Sequence, residues 1–168
     1  QLISDVAHEA LDHIGSQDVI AFTGSQQTAR TISSHPSVLE HNPRMSFETD
    51  SLNATVLGPE VSIDDEEAAL FIAEIKKELV SKSGQKCTAI RRVFVQEAIA
   101  DQLEKALVDQ FAGVVVGNPR HQDVQMGPLV SLKQKASVDE AISTLAQECA
   151  VVLDGRHVKD PVKKKKKD

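Results

Sequence analysis

Short apolar runs that alternate with helically spaced apolar residues constrain this chain more than any other feature. Asp18-Val19-Ile20-Ala21-Phe22 predicts a short buried strand, bounded by Thr23-Gly24. Met45-Ser46-Phe47-Glu48 predicts a second extended segment, and Asn53 to Leu57, closed by Gly58-Pro59, a third. Arg91 to Val95, Val114 to Val116 and Val151 to Leu153 predict the rest. Helices are predicted between them. The first carries Leu2, Val6, Leu11 and Ile14, with Ser4 as cap and Gly15 as stop. A second is predicted over Ser25 to Ile32, and Pro36 and Pro43 break the chain after it into a loop or interrupted helix. The clearest opens on Asp64, Asp65, Glu66 and Glu67, ends among Lys76, Lys77 and Lys82, and turns Ala68, Phe71, Ile72, Ile75 and Leu79 inward. Ile99, Leu103, Leu107 and Phe111 mark the next, and Ser131 caps a last one through Leu145. Strands alternating with helices specify an α/β fold with largely parallel pairing, because each helix carries the chain back to start the next strand in the same direction.

Composition narrows the function. Apolar residues are 40% of the chain and charged residues 26%, the balance of a soluble globular domain. No apolar run approaches the roughly 20 residues that span a bilayer, so no membrane partner is expected. The net charge is −6 although Lys163 to Lys167 are included, so the rest is more acidic still and argues against nucleic-acid binding. The lysine run itself reads as a solvated tail. Two cysteines are too few for a disulfide framework, which suggests a reducing, cytoplasmic setting. No metal-ligand cluster is assigned.

Three places carry candidate chemistry. In Ser83-Gly84-Gln85-Lys86-Cys87-Thr88 a thiol follows a glycine, with Lys86, Arg91 and Arg92 as cations that favour a thiolate. A small residue in a tight turn has the same pattern. The run from Phe22 through Gly24 and Ser25 into a helix is a strand, a glycine turn and a helix N-terminus, which together can hold a phosphate. An ordinary strand-to-helix turn looks alike, since the multiple glycines of the common dinucleotide fingerprint are missing. Glu48 ends a short strand beside Phe47, where partial burial would suit a general base; a solvated glutamate is the alternative. Cys149 is expected to be a buried small apolar residue.

In this order the segments resemble the aldehyde dehydrogenase superfamily, from about Asp18 to about Gly155. Phe22-Thr23-Gly24-Ser25 is similar to the family's cofactor-binding turn, with Ala29 in place of its usual second glycine. Glu48 falls at the family's general-base glutamate, with Thr49-Asp50-Ser51 in place of glycine-glycine-lysine. Gly84-Gln85-Lys86-Cys87 resembles the nucleophile motif, and Phe94-Val95-Gln96-Glu97 and Met126-Gly127-Pro128-Leu129 resemble later segments. Glu48 to Asn53 and Gly84 to Arg92 are similar to a narrower group, the aldehyde dehydrogenase domain of phenylacetate-degradation proteins.

The resemblance implies an aldehyde-dehydrogenase-like α/β fold. Residues 1–50 would close a NAD(P)-binding domain, 51–160 would form part of a catalytic thiol domain with parallel βαβ units, and 161–168 a lysine-rich tail. It implies NADP or NAD as cofactor, held near Thr23, Gly24, Ser25 and Ala29, and an aldehyde substrate, including CoA-linked semialdehydes. Cys87 would be the nucleophile and Glu48 the base. The family's further oxyanion donor, the first half of its dinucleotide sheet and its ribose-holding glutamate have no counterpart here, so the chain reads as a piece of a larger, homo-oligomeric enzyme. Transfer of the acyl group to CoA, a non-catalytic scaffold, and a cysteine hydrolase are the competing outcomes; the last needs a histidine partner, and none of the six histidines is near Cys87 in sequence.

Overall fold

Ser25 decides where the first α-helix begins. Its backbone is extended and its side chain accepts from Thr28 N, which occupies one of the donors a helix start leaves unpaired. The computed structural model describes residues 8–155, in two compact units that divide between Ser51 and Leu52. The start of the predicted first helix, its Ser4 cap and the lysine tail lie outside the described residues.

In the first unit, His8–His13 forms a 3-10 turn rather than a continued α-helix. Gly15 N then donates to Asp18 Oδ2 at 2.8 Å. Strand β1 (Val19–Gly24) pairs in parallel with β2 (Arg44–Thr49), in register from Val19 opposite Arg44 to Gly24 opposite Thr49. Helices α1 (Gln26–Ser33) and α2 (Pro36–His41) make the crossover. Pro36 sits in the first turn of α2, where its missing N–H costs nothing, and Asn42 ends that helix at φ 46°. The proline-rich stretch is therefore an interrupted helix. Ile20, Ala29 and Val38 are buried, and Phe22 meets its register partner Phe47 edge to face at a centroid distance of 6.1 Å.

The second unit repeats the parallel plan. Strand β3 (Asn53–Val56) pairs with β4 (Ile90–Phe94), and α3 (Glu66–Val80) is the crossover. The acidic start of α3 suits its dipole. Periodicity places its face correctly: Ala68, Ile72 and Ile75 are buried, while Phe71 and Leu79 are half-buried. Ile75 is 1% exposed, and that burial is worth roughly 1.5–3 kcal/mol. Helix α4 (Glu97–Ala112) packs on α3 and buries Leu103. Helix α5 (Leu132–Leu145) starts on Ser131, whose Oγ accepts from Gln134 N at 3.1 Å, yet it buries no residue.

Three expectations fail for one reason. Val114 to Val116 makes only an isolated parallel bridge, Val116 to Met126, and Val151 to Leu153 forms no strand and stays about half exposed. Cys149 is exposed, not buried. Apolar runs become strands or core only where neighbours pair with or cover them along their length: Val114 to Val116 meets only the short segment at Gln125 and Met126, and Cys149 and Val151 to Leu153 stay exposed. No helix of the described residues is long and apolar enough to cross a membrane.

Candidate active site

The turn that carries Cys87, the candidate nucleophile, grows out of the end of α3. After Val80 the chain passes through Lys82, Ser83 and Gly84 with φ of 52°, 59° and 71° in succession. Only glycine takes that region freely, so Lys82 and Ser83 hold strain next to the candidate thiol. Side chains pin the turn that follows. Ser83 Oγ donates to Gly127 O at 2.8 Å, and Gln85 Oε1 accepts from Val130 N at 3.0 Å. These bonds join Ser83 and Gln85 to Gly127 and Val130, at or next to the two segments that carried separate parts of the resemblance. Ala89 N closes the turn onto Lys86 O at 3.1 Å. Ala89 is fully buried and Cys87 exposed, so the thiol stands on a turn anchored on its C-terminal side.

The cations near Cys87 in sequence are engaged elsewhere. Lys86 Nζ pairs with Glu78 at 2.7 and 3.0 Å, Arg91 Nη2 donates to Gly84 O at 2.7 Å, and Arg92 Nη2 donates to Leu52 O. They act on the shape of the turn. Glu78 carries no sequence signal for this role, since it lies eight residues before Lys86 and meets it only because the chain reverses after α3. Asn53 Nδ2 donates to Cys87 O at 2.6 Å and to Ala89 O at 3.1 Å, a contact across more than thirty residues that no local pattern discloses.

Within the first unit, Thr23, Gly24 and Ser25 lie exposed at the C-terminal end of β1 and the start of α1, the end of a parallel strand where ligands bind in α/β sheets. A Cβ on Gly24 would come within 2.5 Å of Phe22 Cζ, so the space a side chain would take is filled by that ring. Asp50, at φ 41°, accepts from Gln26 N through Oδ2 at 3.1 Å, which puts a carboxylate on the N-terminus of α1. Beside it lies an open concavity of about 460 Å³, with Gln26, Ala29, Arg30, Leu39, Phe47 and Thr49 in its wall. Glu48 sits opposite Thr23 in the β1–β2 register and is exposed. Of the two sequence readings it is the solvated one, without the partial burial that would suit a general base, because alternation along β2 turns Phe47 and Glu48 to opposite faces. Glu48 and the cofactor-turn residues belong to one unit and Cys87 to the other. Among the described residues no group of three or more His, Cys, Asp or Glu is placed to hold a metal.

The sequence matches the aldehyde dehydrogenase family over residues 3–167. It is 42% identical over 156 residues to 3,4-dehydroadipyl-CoA semialdehyde dehydrogenase of Aromatoleum evansii, covering 93% of this chain and 30% of that protein. It is 33% identical over 136 residues to hydroxyisobutyraldehyde dehydrogenase of Mycolicibacterium austroafricanum, covering 81% of this chain and 26% of that one. Among solved structures, NADP-dependent glyceraldehyde-3-phosphate dehydrogenase of Bacillus halodurans complexed with NADP superposes with a TM-score of 0.65 at 31% identity, over 84% of this chain and 28% of that one. Betaine aldehyde dehydrogenase of Staphylococcus aureus in complex with NAD+ shares the fold, with a TM-score of 0.69 at 24% identity, over 79% of this chain and 26% of that one. The chain thus spans less than a third of the length of these relatives. With an α/β architecture shared with them and a family match across nearly all its residues, this chain belongs to the aldehyde dehydrogenase family.

Proposed function

We propose that the protein oxidises an aldehyde to a carboxylic acid with NADP or NAD, using Cys87 as nucleophile and Glu48 as general base. The substrate is a CoA-linked semialdehyde of aromatic-acid breakdown, as in phenylacetate catabolism. The observation that carries the chemistry is the exposed Cys87 on a strained turn held by side chains from several segments. Such a turn presents a thiol in a fixed direction, which is what a nucleophile needs and a structural cysteine does not. The identity to the semialdehyde dehydrogenase of Aromatoleum evansii supports the substrate class. Unpaired Cys87 and Cys149 suit the reducing cytoplasm.

The residues of the first unit fit a dinucleotide. The α1 N-terminus already accepts an anion, the Asp50 carboxylate, and the adjoining concavity has an apolar wall of Ala29, Leu39 and Phe47 with Arg30 beside it. Thr23, Gly24, Ser25 and Ala29 would hold the cofactor there, and bound NAD(P) supplies the hydride acceptor. Cys87 Sγ adds to the aldehyde carbon, forming the C–S bond and a tetrahedral oxyanion. The backbone N–H of Cys87 is a donor to that oxyanion. Loss of hydride from the carbon leaves a thioester on Cys87. Glu48 takes a proton from water as the water attacks the thioester carbonyl, and collapse expels the Cys87 thiolate and frees the acid.

The test uses the protein as encoded, with NADP or NAD and a panel of aldehydes that includes CoA-linked semialdehydes. Cys87→Ala is expected to abolish oxidation while cofactor still binds. Glu48→Gln is expected to keep a burst of reduced cofactor and lose steady-state turnover. Near-normal turnover of the first variant sinks the nucleophile, and rapid thioester hydrolysis by the second removes Glu48 from its role.

A further inference from the structure

We propose that Asn53 is a positioning residue for Cys87: its amide sets the peptide that carries the thiol, and thereby the thiol's reactivity. The proposal rests on Cys87 being the nucleophile.

Asn53 Nδ2 donates to Cys87 O at 2.6 Å and to Ala89 O at 3.1 Å, so both amide hydrogens are committed to the turn. Ala89 is fully buried and fixes one end. The other end carries the exposed thiol, and among the described residues Asn53 is the side chain bonded to the Cys87 peptide itself. The remaining side-chain bonds grip the turn at Ser83, Gly84, Gln85 and Lys86. Rotating the Cys87–Thr88 peptide plane would break the Asn53 bond, so the amide fixes the direction from which the Cys87 side chain departs.

The sheet places Asn53 there. It lies opposite Ile90, but Ala54 lies opposite Arg92, so the register slips by one residue and Arg91 is left over as a bulge. Bulges redirect side chains. Here Arg91 reaches back to Gly84 O at 2.7 Å and Arg92 holds Leu52 O, which keeps the start of β3 against the turn. A neutral amide suits the position, because it supplies two donors without a charge beside the thiol. An aspartate there would set a carboxylate against two carbonyl oxygens.

The test compares Asn53→Ala and Asn53→Asp with the unsubstituted protein as encoded. Alkylation of Cys87 by iodoacetamide is followed by mass spectrometry across pH, beside steady-state oxidation and cofactor binding. Both variants are expected to lose about tenfold in kcat and in alkylation rate, the scale of one hydrogen bond that orients a reacting group. The pH midpoint of alkylation should move, while KM and cofactor affinity stay within about twofold. Asn53→Asp should lose more than Asn53→Ala. Alkylation rates and midpoints matching the unsubstituted protein in both variants overturn the proposal. Failure of both to fold overturns it too, since Asn53 would then serve the β3–β4 pairing alone. If Cys87 of the unsubstituted protein resists alkylation, it is the nucleophile reading that fails.

Discussion

Gly84→Ala tests whether the turn before Cys87 depends on glycine's backbone freedom or only on its size. Lys82, Ser83 and Gly84 hold φ of 52°, 59° and 71° one after another. An L-residue in that region costs roughly 1–2 kcal/mol, and Lys82 and Ser83 already carry the cost. A Cβ on Gly84 would stand 3.3 Å from Leu79 O, so the last turn of α3 must yield by a few tenths of an ångström. Backbone and contact together come to about 2 kcal/mol. At ~2–4 °C per kcal/mol for a domain of about 150–250 residues, Tm should fall by ~4–8 °C. Calorimetry of the encoded protein measures it, with Gly84→Asn beside Gly84→Ala, because asparagine enters the left-handed region at lower cost. The asparagine variant should lose less than half as much. An unchanged Tm in Gly84→Ala would refute the strain argument. Equal losses in both variants would assign the effect to the Leu79 contact instead.

Two further outcomes follow from ion placement. Glu78→Ala strips the carboxylate from Lys86, whose side chain is only 32% exposed against 19% for Glu78. Stability should fall by about 1–2 kcal/mol, a loss discounted for partial solvent screening, and adding Lys86→Ala should recover part of it; strictly additive losses in urea denaturation would show the pair is uncoupled. Asp50→Asn removes the charge that now sits 3.1 Å from Gln26 N, yet an asparagine oxygen can still accept that bond and tolerates φ 41°. Cofactor should bind about fivefold more tightly at low salt, with the gain shrinking as salt rises, as expected for about 1 kcal/mol of relieved repulsion. Unchanged affinity by calorimetric titration would remove the α1 N-terminus from the cofactor site.

Local features carried most of the fold. The stripe Ala68, Ile72 and Ile75 buries where its spacing says, since a helix puts residues three and four apart on one face whatever surrounds it. Ser25 and Ser131 cap the helices they precede, because the bond each makes spans only three residues. Strands β1 to β3 lie where apolar runs meet Gly24, Glu48 and Gly58-Pro59, β4 lies on the run ending at Phe94, and parallel pairing follows from the helices between them.

Tertiary structure decided the rest. Val114 to Val116 and Val151 to Leu153 have strand composition, but a ladder needs a partner, and composition does not supply one. Cys149 and Glu48 have the apolar neighbours of buried groups, yet burial depends on what packs from across the chain. The same holds at Cys87. Six consecutive residues carry the resemblance that makes it the candidate nucleophile, while the atoms that hold the turn come from Asn53, Glu78, Gly127 and Val130. A sequence encodes its local hydrogen bonds by spacing; contacts that span thirty residues or more exist only once the sheet register, including its one-residue slip after Asn53, has brought the segments together.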